Sequence, residues 1–267
     1  MDRLQIRHAA YNVGVSSVEI NALGQPVGPP VAGWKTPPVP PRDGSAVMSG
    51  RFCRIEILDP ARHASDLFEA NRQDAQGRMW TYLPYGPFVD LAAYERWARE
   101  VAAAADPSFH AIIDLSTGRA VGGASYLRID PAAGSIEVGH IAYSPHLQMT
   151  PGATEAMYLM MRRAFELGYR RYEWKCDALN AGSRAAAQRL GFSYEGVFRQ
   201  ARVNKGRNRD TAWFAAIDLE WPALDRAFRQ WLDPSNFDQA GAQRTSLRAL
   251  TRPILVSVDP DSAQSLG

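Results

Sequence analysis

Apolar positions along this chain recur every second residue in some stretches and every three or four in others, between two ends where no period holds. Residues 51–58 alternate as a strand, and Asp59-Pro60 then opens a helix carrying Leu67 and Phe68. Residues 90–104 read as a helix with Leu91, Tyr94, Trp97, Ala98 and Val101 on one face. Two strands, 109–115 and 120–129, flank the turn Ser116-Thr117-Gly118-Arg119, the pattern of a hairpin. Another strand follows at 136–143. A strongly apolar helix at 154–167 stops at Gly168, a short strand occupies 172–176, a helix at 181–190 ends at Gly191, and strands at 193–199 and 211–219 close the order. After the first strand and two helices the succession is three strands, helix, strand, helix, two strands. That order predicts an α+β protein in which helices pack on a mixed sheet.

The ends differ. Residues 24–45 are so dense in Pro and Gly that neither a helix nor a central strand persists there. From about residue 233 the chain mixes Pro, Ser, Gln and Gly around one short apolar run, 253–258, read as a tail or an edge addition. The expected division is an extended arm over 1–49, a main domain over 50–221, and a helix with a tail over 222–267.

Composition narrows the classes. At 267 residues, 46% hydrophobic and 22% charged, the chain can bury a substantial core without disulfides or metals. Its net charge of +2 supplies no global field for nucleic acid, so a dedicated DNA-binding protein is not expected. Cys53 and Cys176 are far apart and have no metal-ligand spacing, which fits reduced thiols and no metal site. No apolar run is long enough to span a membrane, and the N-terminus lacks the pattern of a cleaved leader. A cytoplasmic protein is expected.

The loop from Ser144 to Thr154 leaves a strand and enters a helix. A helix start offers unpaired N–H groups and a positive dipole end, both suited to phosphate. Thr150 is the natural N-cap, Pro151 at the first helical position sacrifices one donor, and Gly152, Ala153 and Thr154 are small enough for close approach. Taken alone, the same residues read first as the cap of an ordinary core helix, because capping is far commoner than phosphate binding.

The segments that follow change this. Pro145, Gln148, Pro151 and Ala153 continue into Thr154-Glu155-Ala156. Asn180 and Ser183 then begin a helix ending in Gly191-Phe192, and 195–199 with 206–210 form a strand pair with a later Asp210. This arrangement, over roughly residues 50–221, resembles the GNAT superfamily of acetyl-CoA-dependent N-acetyltransferases, most closely its ribosomal-protein N-acetyltransferase branch. The resemblance implies a twisted, mostly antiparallel mixed sheet of about six to seven strands between helical layers, with coenzyme A bound as acetyl-CoA. It implies a primary-amine acceptor, on a protein N-terminus or a small molecule, attacking the thioester directly. It gives no role to DNA or membrane, and a homodimer is left open. A non-catalytic acyl-CoA-binding module is the alternative reading.

On that resemblance the cofactor would contact Tyr143, Gln148, Met149, Thr150, Gly152, Ala153, Thr154, Asn180 and Ser183. Tyr143 would serve through its backbone. Two departures stand out: Pro151 replaces a glycine of the phosphate motif, and Ala187 stands where many relatives carry an acidic tyrosine. Ser183 is then the candidate acid for the departing thiolate. Glu137 is the first candidate for the base, with Gly139, Ile141 and Tyr143 on its face by period two, although a solvated edge position would also explain it. His140, on the opposite face by that count, is either a titrating group or a hydrogen-bonded core imidazole. Trp80, Tyr82, Tyr85 and Phe88 are candidates for the acceptor wall, or for a loop packed over the core. Arg184 and Arg189 could meet phosphates or stay solvated. The run Arg199, Arg202, Lys205, Arg207 and Arg209 could attract an acidic partner, or be a solvated hairpin tip.

Overall fold

The computed structural model describes residues 18–261, and the chain divides after Lys35 into two compact units. The described part of the first is a small antiparallel pair, β1 (Glu19–Ile20) with β2 (Pro26–Val27). Its turn is held by the Asn21 side chain, which accepts the amides of Leu23 and Gln25.

The second unit carries the elements that the periodicity predicts and two that it does not: an edge strand, Met48–Ser49, and a helix, Leu247–Thr251, within the stretch read as a tail, whose Leu247 and Thr251 are buried. In order they are β3 (Met48–Ser49), β4 (Cys53–Ile57), α1 (Pro60–Asn71), α2 (Leu91–Ala103), β5 (Ser108–Asp114), β6 (Ala120–Asp130) and β7 (Ser135–Tyr143). Then come α3 (Pro151–Glu166), β8 (Arg171–Asp177), α4 (Ala181–Arg189), β9 (Ser193–Asn204), β10 (Arg207–Ile217), α5 (Trp221–Leu232) and α6 (Leu247–Thr251). The helix starts follow from capping chemistry. The side chains of Asp59, Asp90, Thr150 and Asn180 each accept a backbone N–H of the first turn, a bond whose loss costs about 1 kcal/mol.

The strands form one sheet in the order β3-β4-β5-β6-β7-β8-β10-β9. All neighbours are antiparallel except β7 and β8, which α3 joins by a crossover and which therefore run parallel. The eighth strand is the two-residue edge β3, too short to show a period. The expected closing strands are also longer than their apolar pattern: β9 and β10 run on into the basic stretch, where charged residues obscure the alternation.

Both faces of the sheet are covered. One carries Ile112, Ile136, Val138, Tyr172, Trp174 and Phe214 under α3 and the C-terminal helices, whose Leu224, Phe228 and Leu247 are almost fully buried. The other carries Phe109, Ala111 and Ile113 under α1, α2 and the aromatic segment from Trp80 to Phe88. Each large apolar side chain so buried contributes about 1.5–3 kcal/mol.

One irregularity positions everything that follows. In the pairing of β6 with β7, Ser125 faces Gly139 and Gly123 faces Ala142, so His140 and Ile141 together oppose Ala124 alone. This is a β-bulge, with His140 at φ 51°. The extra residue shifts the alternation. Tyr143 lies in the row of Gly122 and Ile112, and it packs with Ile141 on the α3 face beside Val138. His140 stacks on Tyr85 and Phe109 of the other face, the face of Gly139 and Glu137. The period-two expectation is therefore corrected: Glu137 does not share a face with Ile141 and Tyr143, and His140 is on its side.

Candidate active site

Only residues 135–138 of β7 pair with residues 171–174 of β8; beyond them β7 keeps β6, β8 keeps β10, and the two part. The result is a gap through the sheet, containing a cavity of about 650 Å³ that both faces line. Strand edges at such a gap present backbone donors and acceptors without a neighbouring strand, which suits an extended amide-bearing ligand.

On the α3 face the gap opens beside the loop 144–150. Leu147 anchors this loop in the core, and a Cβ on Gly122 would lie 2.6 Å from its Cδ2, so only glycine lets it seat. The loop spends most of its own donors internally. The Gln148 side chain donates to the Tyr143 carbonyl (2.7 Å), and the Gln148 amide donates to Ser144 (3.0 Å). Thr150 Oγ1 donates to Leu147 (2.7 Å) while accepting from the Ala153 amide (3.2 Å). Among the described residues the amides of Met149 and Gly152 have no acceptor, and they stand at the positive end of α3. Met149 holds φ 61° with its side chain in solvent, a conformation that costs a residue other than glycine about 1–2 kcal/mol. Two free amides on a helix N-terminus fit an anionic group such as pyrophosphate.

The floor of the gap is the start of α4. Asn180 caps it by accepting the Ser183 amide (3.0 Å), and Ser183 Oγ accepts the indole N–H of Trp174 (3.0 Å). That leaves the hydroxyl hydrogen of Ser183 to donate. Burial pushes the neighbouring Cys176 thiol up to about 11, and burial raises Cys53 as well, so neither is a thiolate near neutral pH.

The opposite face is charged. Glu137 is 3% exposed, with Arg128 at 2.5 Å and Lys175 at 2.9 Å. Lys175 also meets Glu173 at 2.6 Å and lies 3.7 Å from the ring centroid of Trp213. His140 has a buried Nδ1 without a partner. Burial, followed by Arg128, Arg202 and Arg209, lowers its pKa from 6.5 to about 4, so it is neutral at pH 7. A roof closes over this side. Tyr82 donates its hydroxyl to the Leu179 carbonyl (3.1 Å), and Lys205 at the hairpin tip donates to the carbonyls of Trp80 (2.7 Å) and Gly86 (2.9 Å).

Residues 54–193 match the acetyltransferase (GNAT) domain family. A GCN5-related N-acetyltransferase from Brucella melitensis is 43% identical, with a TM-score of 0.79 over 82% of this chain and 99% of its own. The chain belongs to the GNAT acetyltransferases. A probable acetyltransferase of the GNAT family from Chromobacterium violaceum is 41% identical, with a TM-score of 0.68 over 74% of this chain and 98% of its own. A ribosomal L7/L12 alpha-N-protein acetyltransferase shares the fold at 18% identity and a TM-score of 0.56, over 64% of this chain and 93% of its own. No curated protein matches.

Within this GNAT domain the residues singled out from the sequence fall into three groups. Tyr143, Asn180 and Ser183 line the cavity, as do Glu137, His140 and Tyr82. Gln148, Met149, Thr150, Gly152, Ala153 and Thr154 form the loop and first turn of α3 beside it. Trp80 and Phe88 are not part of the cavity lining: they pack edge-to-face with each other in the α1–α2 core, and Tyr85 reaches the site only by stacking on His140. For those three the packed-loop alternative describes the geometry. Met79, Leu83 and Pro84 take their place beside Tyr82.

Other expectations are corrected by contacts that no local pattern announces. Glu137 is not at a solvated edge but buried in a central strand. Arg184 is neither solvated nor free for phosphate, because Asp259 takes it at 2.7 and 2.5 Å. Arg189 donates to Thr154 Oγ1 at 3.1 Å. Of the basic run, Arg199, Arg202 and Arg209 line the cavity and Lys205 holds the roof, leaving Arg207 exposed at the tip. Asp210 accepts the Gln200 amide (2.7 Å) where the register of β9 and β10 shifts. Glu155, within the Thr-Glu-Ala continuation, turns away from the site: it accepts the amides of Arg51, Phe52 and Cys53 at 2.7, 2.7 and 2.9 Å. Ala187 is fully buried in the core. Sequence reasoning missed Arg128, Trp174, Lys175 and Trp213, which come from three separate strands.

Among the described residues no helix is long and apolar enough to cross a membrane, and no three His, Cys, Asp or Glu side chains cluster as a metal site.

Proposed function

We propose that this acetyltransferase uses acetyl-CoA to acetylate a primary amine, on a protein N-terminus or a small molecule. The observation that carries the reading is the gap between β7 and β8, a charged cavity lined up to Tyr143, from which the chain leads directly into the loop and the helix N-terminus with two free amides. When bound, acetyl-CoA supplies the thioester carbonyl that the amine attacks directly and the thiolate that leaves. The amides of Met149 and Gly152 would hold its pyrophosphate, and Asn180 and the open edge of β7 would hold its amide-bearing arm.

Proton movement falls to two groups on opposite sides of the gap. Glu137 takes the ammonium proton, directly or through a water, while Arg128 and Lys175 fix its position. Ser183, on the floor of the gap and oriented by the Trp174 indole, would supply its hydroxyl proton to the departing thiolate. Two free buried thiols accord with a cytoplasmic setting, which this reading adopts.

The test is thiol release from acetyl-CoA in the presence of a pool of amines and N-terminal peptides. Release that depends on an added amine, with N-acetylated product by mass, is expected. Tight coenzyme A binding without release on any amine would sink the reading.

A further inference from the structure

On the acceptor side of the gap the charges do not balance. The cavity is lined by five cations, Arg128, Lys175, Arg199, Arg202 and Arg209, against two carboxylates, Glu137 and Asp177. Asp177 is turned to its own loop, where it accepts the Leu179 amide at 2.9 Å. His140 adds a neutral ring at pH 7. Glu137 pairs with Arg128 and Lys175 and acts on Arg202 only from a distance, so among the described residues no carboxylate pairs with Arg202 or Arg209.

The hairpin makes their position costly. Arg202 and Arg209 are directly opposed across β9 and β10, an arrangement of like charges that destabilises a strand pair. Arg209 Nε is buried and has no hydrogen-bond partner among the described residues, and a buried donor left unpaired is penalised. Arg202 remains open to solvent, yet its charge is disfavoured by partial desolvation and by the nearby Arg128 and Arg209. These arginines are on the face of Trp213 and Lys175, away from the α3 N-terminus, so the cofactor's pyrophosphate is not their counterion.

We propose that the acceptor amine carries a carboxylate, which binds between Arg202 and Arg209 and offsets their repulsion, with Arg128 nearby. The proposal rests on the acetyltransferase reading and specifies its substrate class. Guanidinium forks match a carboxylate in geometry as well as charge. Diamines and other purely cationic acceptors are disfavoured by the same field. The carboxylate can belong to an amino acid or to an acidic residue beside a peptide N-terminus, since both place it a few bonds from the amine.

The experiment uses the full chain and matched acceptors. These are L-glutamate with its diamide, a peptide beginning Asp-Glu with its Asn-Gln counterpart, and a diamine. Expected is a kcat/KM about tenfold or more higher for the acidic member of at least one pair, the value of one charge-assisted contact. Which pair shows it identifies the source of the carboxylate. Arg202→Gln and Arg209→Gln should bring that ratio toward one, chiefly through KM, while Tm is kept or raised because a repulsion is removed. Equal or better turnover of the neutral members or the diamine overturns the proposal, as does an acidic preference that survives both substitutions. Direct binding of each acidic probe, read by tryptophan fluorescence near Trp213, separates the two levels of inference. Binding lost in the arginine variants but without thiol release from any amine would retain the carboxylate site and reject the transferase reading. No binding and no acidic preference would reject the site itself.

Discussion

The two sides of the gap between β7 and β8 are built on opposite plans. On the α3 side nearly every charged group is answered from within the chain: Glu155 by three successive amides, Arg184 by Asp259 and Asp261, Arg189 by Thr154. What that side leaves open is backbone, the amides of Met149 and Gly152. On the other side the backbone is paired in the β9–β10 hairpin and side-chain charge is left over, at Arg202 and Arg209. A surface that offers backbone can bind an invariant ligand in any homologous chain, because amides do not change with sequence. A surface that offers side chains sets specificity, because each position can be altered without disturbing the fold. The sheet thus separates a general function from a selective one, with Ser183 and the bulge at His140 where they meet.

The largest expected effect tests the self-contained side. Glu155→Ala should destabilise the protein by about 4 kcal/mol, because the amides of residues 51–53 lose one shared, charged acceptor and only part of them can reach water. A Cβ on Gly50 would lie 2.2 Å from the same carboxyl carbon, so the turn cannot close around a larger residue. Glu155→Gln, which keeps one accepting oxygen, should lose less. Chemical denaturation measures both, and a loss below about 1 kcal/mol for the alanine variant would mean that this side does not depend on its internal pairing.

This contrast also explains what could be read from the sequence. The helix starts were legible because Asp59, Asp90, Thr150 and Asn180 are local caps, and the α3 side of the site was legible because its parts lie in two short contiguous stretches. The acceptor side is assembled from Met79, Tyr82, Leu83 and Pro84, Arg128, Glu137, Lys175 and the β9–β10 hairpin. Nothing about Lys175 in its own strand announces Glu137, and the arginines of the hairpin resemble any solvated tip until Arg209 is seen opposite Arg202. The bulge is hidden for a different reason. It is defined by two residues of β7 facing one of β6, and the period of a single strand cannot show a mismatch between two.

A smaller effect is expected where the sides meet. Ser183→Ala should lower kcat by about 10–100-fold with acetyl-CoA affinity unchanged, if its hydroxyl delivers the proton at the floor. Glu137→Gln should act from the other side, lowering the rate by about 100-fold. Trp174→Phe removes the indole N–H from Ser183 without removing the hydroxyl, so it should cost less than Ser183→Ala. Unchanged turnover in the Ser183 variant would remove it from the chemistry and leave the floor a purely structural cap.

The most gradual expected effect is a dependence on pH, and it sharpens the comparison by locating the unmatched charge. Burial holds His140 and His110 at about 4, below the ordinary 6.5, with neighbouring arginines adding to the shift in both. The unfolded chain takes up these protons near pH 6.5, whereas the folded chain resists until about pH 4. Between those values the unfolded state binds more protons, so stability is full above the window and falls as pH drops through it. The slope is at most about 1.4 kcal/mol per pH unit for each histidine. His140→Gln should remove only its own share of that slope, leaving the part due to His110, which is buried against the Ser108 carbonyl, and to His63, whose pKa burial also lowers. The arginines that depress His140 are those proposed to receive a carboxylate. Filling the site with an acidic acceptor should therefore raise the pKa of His140 and leave His110 unmoved, as read from the two imidazole resonances in an NMR titration. Equal movement of both rings, or of neither, would place the acceptor's charge away from Arg202 and Arg209.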